Sequence, residues 1–425
     1  MQDVVHAIVR SRWARGAIVV AFLVSAGLAV TWQAGGWPPY RVDFDVYRLG
    51  GEVVRSGGAL YDEYFVLHDH SRLPFTYPPL AAVLFAVFAA MPMWVGSLLI
   101  TIASITGLLV ITRLVLGRVV DADRVTLWWG ALAATTGALW VQPVWATLDY
   151  GQVNIILLAL VVVDGIAGRG HRGQGVLTGL AVAVKLTPAV FLLYYLLRGQ
   201  WRAAGMVVAS ALAFTGLGWV LAPGDSLRYW TAVLYDPARI GLPMFARNQS
   251  VRGELLRLHL DSQVLWLVVA GVVTLLIAWV GWRLLAVGAD TAALIVIAFV
   301  ALYASPVSWD HHWVAVVPLL VLMIVWAGRG VGWRLWCSLV VAGLTILVLV
   351  PQVRVPNRAK IELTWVWWQH IVGNAYLWWG LVAMVAIGVM APRLPADVVP
   401  TEPLPDGTDT GSLPEADDDA VGAPA

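Results

Sequence analysis

The stretch RSRWARGAIVVAFLVSAGLAVT, residues 10–31, decides the fold class of this chain. Three arginines precede an apolar run from Gly16 to Thr31, which is the charge pattern of a membrane helix whose basic end stays in the cytoplasm. A secretory signal peptide begins similarly, but no clear small-residue cleavage site follows this run and further apolar runs come after it. We therefore expect an uncleaved first transmembrane helix.

The composition extends this conclusion to the whole chain. The 425 residues are 60% hydrophobic and only 12% charged, with 24 Trp and 40 Gly, and the mean hydropathy is +0.77. Gly favours close helix packing and Trp favours the membrane interface, so these numbers fit a helical bundle in lipid. A net charge of +1 gives no indication of nucleic-acid binding, and the single Cys337 cannot form an intrachain disulfide.

The distribution of arginine predicts the topology, because basic residues in short loops mark the cytoplasmic side. The clusters placed inside are Arg10/Arg12/Arg15, Arg113/Arg118/Arg124, Arg169/Arg172, Arg198/Arg202, Arg283, Arg329/Arg334 and Arg393. Full spans are then expected over residues 16–34, 93–112, 126–143, 153–168, 203–222, 263–285, 288–304, 312–328, 335–351 and 373–391.

Two apolar segments do not fit simple alternation. Residues 78–91 would form about 21 Å of helix, which is short of a hydrocarbon core about 30 Å thick. Residues 175–197 have basic clusters on both flanks and KLTP, residues 185–188, at their centre. We expect two half-length helices that meet at an outward-facing break, since irregular backbone at membrane depth survives only where it is buried or lines a cavity.

The chain is therefore expected to be an all-α polytopic membrane protein with about ten to twelve transmembrane helices and surface helices in the first external loop. We expect a catalytic membrane domain over residues 1–391 and a disordered acidic cytoplasmic tail over residues 392–425. The polar stretches placed outside are 35–77, 144–152, 223–262, 305–311 and 352–372.

A charged island, RVDFDVY at residues 41–47, follows the first span. Apolar residues recur after its start at near-helical spacing, at Val46, Leu49, Val53 and Val54. This predicts a short amphipathic helix on the membrane surface, with Asp45 near its positive N-terminal end. Asp45 as a simple N-cap is the alternative, but a cap does not explain two acids, Asp43 and Asp45, at a membrane mouth.

Three further groups carry polar side chains on the same face. In WATLDYGQVN, residues 145–154, the side chains suited to sugar hydroxyls are Asp149, Gln152 and Asn154, with helix capping by Asp149 or Asn154 as the alternative. In SPVSWDHHW, residues 305–313, a histidine facing a cavity would bind phosphate or a sugar hydroxyl, with an interfacial helix start capped by Asp310 as the alternative.

The third group is cationic. Lys185 is one of two lysines in the chain and lies in an apolar stretch, so it needs an anionic partner: a lipid phosphate or an internal Asp. FARNQSVRG, residues 245–253, offers Arg247 and Arg252 as anion-binding forks, with a solvated loop face as the alternative.

Taken in order, these segments resemble the GT-C superfamily, and more closely the actinobacterial polyprenyl-phosphate-mannose-dependent α-(1→2)-mannosyltransferases. The matching segments are VDFDVY (42–47), LY (60–61), TYPPL (76–80), GQVN (151–154), KLTP (185–188), NQS (248–250) and SPVSWDHH (305–312). They cover the chain from about residue 40 to 312, and beyond it only the hydrophobic pattern is similar. The resemblance implies a GT-C-type helical bundle that extends phosphatidylinositol mannosides or branches lipomannan.

The resemblance also implies roles. The family's catalytic acid, shortly after the first span, corresponds to Asp45, with Asp43 the less favoured choice, and its external histidine corresponds to His311 or His312. The substrate-binding set is then Asp43, Tyr77, Asp149, Gln152, Asn154, Lys185, Arg247, Asn248, Gln249, His311 and His312. The donor is a β-linked mannosyl phosphate on a polyprenol, the acceptor is a glycolipid, and the α product means that the reaction inverts.

The expected chemistry needs one carboxylate to take the proton of the acceptor hydroxyl and cations to stabilise the departing phosphate. No cofactor is assigned, and a divalent metal at Asp43 and Asp45 is left open. The expected location is the plasma membrane, with the site on the outer face and both termini in the cytoplasm. The alternatives are a related enzyme for lipomannan or lipoarabinomannan branching, one using another lipid-linked sugar, and a lipid or sugar transporter.

Overall fold

The computed structural model describes residues 11–31, 40–358 and 360–398, without the side chains of residues 237 and 238. The expected all-α polytopic membrane architecture is confirmed, because seven helices in these ranges are long and apolar enough to span a bilayer. These helices are Arg12–Thr31, Met93–Val119, Trp201–Leu221, Gln263–Ala286, Asp310–Gly328, Trp333–Val353 and Ala375–Arg393.

The number of candidate spans in the described ranges rises to eight if the two helices Gln142–Tyr150 and Asn154–Ala167, which meet at an angle of 115°, count as one. The segment expected as a full span over 126–143 is divided instead. Arg124–Ala138 ends first, and the next helix begins at Gln142 with Pro143 in its first turn, where proline's missing N–H does no harm. The stretch 144–152, expected as a polar loop, is therefore largely helical.

The remaining elements are shorter. Apolar helices of 10–17 residues are Pro79–Ala89, Thr187–Leu197 and Asp290–Ala304. The other α-helices are Val42–Ser56, Val176–Val184, Pro223–Thr231, Val251–Arg257 and Trp367–Gly373. Single turns of 3-10 helix lie at Val233–Tyr235, Pro237–Ile240, Pro351–Val353 and Ile361–Thr364. Two short strands, Phe65–Val66 and Arg72–Leu73, pair antiparallel with Phe65 opposite Leu73.

The amphipathic helix expected after the first span is present as Val42–Ser56, which we call the surface helix. It ends at Gly57 in the left-handed conformation. Its apolar side packs on Pro79–Ala89, where the ring of Tyr47 stacks on Phe85 at 4.4 Å between centroids. This packing anchors the helix against the bundle.

Two interruptions of the helices shape the end of the bundle at which the surface helix lies. Val176–Val184 stops at Lys185, whose backbone is extended, and the chain resumes in a 3-10 turn that contains Pro188, so the expected break is present. The 115° bend lies at Gly151, whose φ is +71°. A Cβ atom there would lie 2.6 Å from Cβ of Phe44, so the surface helix fits against the bend only because residue 151 is glycine.

The loops with clustered arginines meet at the other end of the bundle. Asp290 forms ion pairs with Arg169 at 2.7 Å and Arg198 at 2.9 Å. Asp397 accepts a hydrogen bond from the Thr291 hydroxyl at 2.7 Å. Residues 392–398 thus contact the bundle, although they belong to the expected tail. The boundary at residue 391 stays a prediction, and residues 399–425 lie outside the described ranges.

Candidate active site

A cavity of about 830 Å³ lies among these interrupted segments and the surface helix. Its wall combines the surface helix, the loop before Pro79–Ala89, the Gly151 bend, the Lys185 break, the loop at residues 239–247 and the turn at residues 305–312. Of the residues expected to form the site, those that line this cavity are Asp43, Tyr77, Gln152, Lys185, Arg247, His311 and His312. Residues far apart in the sequence therefore line one cavity.

Asp43 is the acid of the surface helix that faces the cavity. Gln152 donates a hydrogen bond from Nε2 to Asp43 Oδ2 at 2.6 Å. Burial raises the pKa of the Asp43 carboxyl, while the charge of His311 and the Gln152 hydrogen bond act in the opposite direction. A carboxylate with a raised pKa is the better proton acceptor near neutral pH.

Asp45, which the sequence favoured as the catalytic acid, does not line the cavity. It is 2% exposed and accepts hydrogen bonds from the Tyr40 hydroxyl at 3.2 Å and the His68 backbone N–H at 2.9 Å. Residues two apart on a helix point about 200° away from each other, so only one of the two acids can face the cavity. Since Arg41 occupies the N-cap position, Asp45 is not a cap either. The geometry moves the candidate base to Asp43 and makes Asp45 an anchor for the loop at His68.

A pair of tyrosines fixes the orientation of Gln152. The hydroxyls of Tyr47 and Tyr77 are 2.7 Å apart, and they lie 2.8 Å and 2.9 Å from Gln152 Oε1. Because hydroxyl donors face the amide oxygen, the amide nitrogen is directed at Asp43. Tyr47 was not among the expected site residues, and the sequence analysis included it only as the last residue of the charged island RVDFDVY.

Lys185 faces the same cavity from the break. Its ammonium donates to Asn154 Oδ1 at 2.9 Å and to the Tyr77 hydroxyl at 3.3 Å. An ammonium has three N–H donors, and none of the ion pairs formed by the described residues includes Lys185. The internal Asp partner considered from the sequence is therefore not in contact, and a donor remains for a ligand.

Arg247 lines the cavity with its charge already balanced. It donates to Asp310 Oδ2 at 2.9 Å, and the fully buried Asp310 also accepts from Gln142 Nε2 at 3.2 Å. Such a charge-assisted pair fixes the guanidinium in place. The sequence suggested Asp310 only as a helix cap, since its partners Gln142 and Arg247 are distant in the chain.

Both histidines of the 310–315 turn face the cavity, where the sequence predicted one. Their rings meet edge to face with centroids 4.7 Å apart. His311 is 6% exposed, and neither ring nitrogen has a hydrogen-bond partner among the described residues. The backbone oxygen of His311 accepts from Asn154 Nδ2 at 3.1 Å, so Asn154 connects the histidine turn to Lys185.

Four residues expected to bind substrate do not line the cavity: Asp149, Asn154, Asn248 and Gln249. Asn154 instead bonds to Lys185 and to the backbone oxygen of His311. Asn248 donates to the backbone oxygen of Pro243 at 2.7 Å, and Gln249 donates to that of Gly373 at 2.7 Å. These amides are buried and fasten the loop that carries Arg247. Asp149 lies near the buried Arg41, outside the cavity wall. Arg252 pairs with Asp261 at 2.5 Å, away from the cavity.

Groups of three or more His, Cys, Asp or Glu side chains placed to hold a metal ion are not found among the described residues. The divalent metal considered at Asp43 and Asp45 is left unassigned. The two carboxylates face different surroundings, since Asp43 bonds to Gln152 and Asp45 bonds to Tyr40 and His68.

Comparison with known proteins identifies the family to which the chain belongs. Residues 75–306 match Glycosyltransferase family 87. A polyprenol-phosphate-mannose-dependent α-(1-2)-phosphatidylinositol mannoside mannosyltransferase of Mycobacterium tuberculosis is 37% identical over 90% of this chain and 93% of its own length. A protein of Mycolicibacterium smegmatis with the same name is 36% identical over 88% of this chain and 89% of its own length.

Two further similarities are weaker. A polyprenol-phosphate-mannose-dependent α-(1-2)-phosphatidylinositol pentamannoside mannosyltransferase of M. smegmatis is 33% identical over 81% of this chain and 82% of its own length. The crystal structure of ArnT from Cupriavidus metallidurans bound to undecaprenyl phosphate gives a TM-score of 0.38 at 15% identity, over 89% of this chain and 76% of that one. A likeness of that size supports no argument about mechanism.

Proposed function

Because this chain belongs to glycosyltransferase family 87, we propose that it moves mannose from polyprenyl-phosphate-mannose to a hydroxyl of a phosphatidylinositol mannoside, in α-(1→2) linkage. The names of relatives that are 36–37% identical along nearly the whole chain support this donor and acceptor. A glycosyltransferase family also argues against the transporter considered from the sequence.

One observation carries the mechanism. The same cavity holds the carboxylate of Asp43, which accepts a hydrogen bond from Gln152, and the ammonium of Lys185, which contacts no acidic side chain among the described residues. Asp43 acts as the general base and takes the proton of the acceptor hydroxyl as its oxygen forms a bond to C1 of mannose. The bond from C1 to the phosphate oxygen breaks on the opposite face, and its electron pair leaves with the phosphate. This displacement converts a β-linked donor into an α-linked product.

The cations of the cavity support departure of the phosphate. Lys185 has an N–H donor available for the phosphate. Asn154 bonds both to Lys185 and to the turn that carries His311 and His312. Arg247 adds a fixed positive group whose charge is shared with Asp310. Fixed donors around a developing negative charge lower the barrier more than mobile water does.

The active site is proposed to lie on the outer face of the plasma membrane, with the N-terminus and the C-terminal segment in the cytoplasm. The arginine-rich loops, which the positive-inside rule places in the cytoplasm, contact one another around Asp290 and Asp397. The cavity segments form a separate group of contacts. A lipid-linked donor suits an outer site, because nucleotide sugars are absent there.

The decisive experiment is mannose transfer by the purified protein in lipid nanodiscs, with radiolabelled polyprenyl-phosphate-mannose and a panel of acceptors. We expect label in phosphatidylinositol mannosides, removable by an α-(1→2)-specific mannosidase, and about 100-fold less label with Asp43→Asn protein. Transfer to lipomannan alone would support the branching alternative. Absence of transfer to every mannosylated acceptor would refute the proposal.

A further inference from the structure

The charged side chains of the cavity wall do not balance. The acids are Asp43 and Asp310, and the cations are Lys185, Arg239 and Arg247. Arg247 pairs with Asp310, and Lys185 is linked to Asp43 through hydrogen bonds. Arg239 is left as a surplus positive charge of the cavity wall.

Arg239 forms no ion pair with an acidic side chain in the part of the chain that the structure describes. It belongs to the turn Pro237–Ile240, and its Nε and Nη2 atoms are buried without a hydrogen-bond partner in the described part of the chain. Its guanidinium carbon lies 5.8 Å from the ring centroid of Tyr64, which stabilises a cation but accepts no in-plane hydrogen bond. Guanidinium N–H groups withdrawn from water are unfavourable unless they meet an acceptor, so this group is suited to an anionic ligand.

Arg239 and Lys185 lie against different parts of the cavity wall. Arg239 is close to Tyr64, and its charge acts on Tyr61. Lys185 contacts Tyr77 and Asn154. The two cations therefore have different neighbours in the cavity wall.

The surroundings of Arg239 indicate the kind of anion. Apolar side chains share this part of the wall, among them Leu234, Ile240 and Leu242. A cation beside an apolar surface fits a phosphodiester that continues into acyl chains. The forked N–H groups of arginine match the two free oxygens of such a group.

We propose that Arg239 binds the phosphodiester of the phosphoinositide acceptor, while Lys185 serves the phosphate of the donor. The inference rests on the proposed function, in which each substrate carries one phosphate group attached to a lipid. Arg239 then holds the acceptor by its headgroup phosphate while a mannose hydroxyl reaches Asp43. It acts in recognition of the acceptor and takes no part in the proton transfer.

The test compares Arg239→Gln with wild type in steady-state transfer from polyprenyl-phosphate-mannose. With a phosphatidylinositol mannoside acceptor, we expect the variant to raise the acceptor KM about tenfold or more, the effect of losing a charge-assisted hydrogen bond, and to leave the donor KM unchanged. With octyl α-mannoside, which lacks a phosphate, variant and wild type should behave alike. Arg252→Gln, which removes an arginine outside the cavity wall, is the matched control and should resemble wild type with both acceptors.

Each other outcome has a definite meaning. An increased donor KM, or an equal loss with both acceptors, would overturn the assignment and place the donor phosphate or a structural role at Arg239. If wild type does not use octyl α-mannoside, the two KM values measured with the phosphoinositide decide. Arg239→Lys keeps the charge and should restore part of the acceptor affinity, whereas a merely structural role gives no such rescue. Failure of wild type to transfer mannose at all would refute the proposed function instead.

Discussion

The carboxylate of Asp43 and the ammonium of Lys185 are joined by three hydrogen bonds that pass through Gln152 and Tyr77. The distances are 2.6 Å from Gln152 Nε2 to Asp43, 2.9 Å from the Tyr77 hydroxyl to Gln152 Oε1, and 3.3 Å from Lys185 Nζ to the Tyr77 hydroxyl. The candidate base and the candidate phosphate-binding cation are thus positioned by one network. A substitution of Asp43 is therefore expected to affect Lys185, and a substitution of Lys185 is expected to affect Asp43.

Replacement of Asp43 by Asn should lower transfer by about 100-fold or more, because the amide has the shape of the carboxylate but cannot accept the proton. The measurement is kcat with saturating donor and acceptor, on protein shown to be folded by gel filtration and thermal unfolding. Asp45→Asn is the matched comparison. Its amide oxygen can still accept from the His68 backbone, so most activity should remain. Full activity of Asp43→Asn beside an inactive Asp45→Asn would return the catalytic role to Asp45.

Replacement of Lys185 by Gln should reduce kcat/KM for the polyprenyl-phosphate donor by about tenfold to 100-fold, as expected for loss of a hydrogen bond to a charged group. The acceptor KM should change much less. Lys360, the other lysine of the chain, is exposed and does not line the cavity, so Lys360→Gln provides a matched control with wild-type kinetics. An unchanged donor KM and kcat in Lys185→Gln would remove Lys185 from the donor site.

The pH dependence of transfer should show an acid limb above the ordinary Asp value of about 3.9. Burial raises the pKa of Asp43, so the base is protonated and inactive at pH values where an exposed Asp is still ionised. The positive charge of Lys185 opposes this rise, so Lys185→Gln should move the acid limb to still higher pH. The measurement is the profile of kcat/KM against pH for wild type, Lys185→Gln and the control variant Lys360→Gln. A shift to lower pH in Lys185→Gln would contradict the proximity of the two charges.

Sidedness can be tested by cysteine labelling of intact cells, with Cys337 first replaced by Ala. Gly58 follows the surface helix and is exposed, so Gly58→Cys should react with a membrane-impermeant maleimide. Arg172 is exposed in a loop with clustered arginines, so Arg172→Cys should react only after the cells are permeabilised. The reverse pattern would place the cavity in the cytoplasm and argue against a donor presented at the outer surface.

Sequence patterns predicted correctly those features that depend only on neighbouring residues in the chain. A lysine beside Pro188 in an apolar stretch predicted the helix break at Lys185, because neither residue suits a lipid-facing helix. The surface helix followed from its apolar spacing. The order of short polar segments indicated the family that the comparison then showed.

Other features depend on contacts that the sequence does not contain. Asp43 and Asp45 occupy the same helix, and the tertiary packing of that helix, including the stacking of Tyr47 on Phe85, determines which acid faces the cavity. Asn248 and Gln249 have the side chains of a sugar site, yet their donors bond to backbone oxygens, including those of the distant residues Pro306 and Gly373. Arg239 gave no sequence signal, because its lack of a partner is a property of the folded cavity.

Gly151 sets a limit for protein engineering. The 115° bend brings Gln152 towards the surface helix, and a side chain at residue 151 would meet Phe44 at 2.6 Å. A mutational library aimed at new sugar or lipid specificity can vary the polar wall of the cavity, but it must keep a hydrogen atom at this position. One residue without a side chain thus determines how far the rest of the pocket can be redesigned.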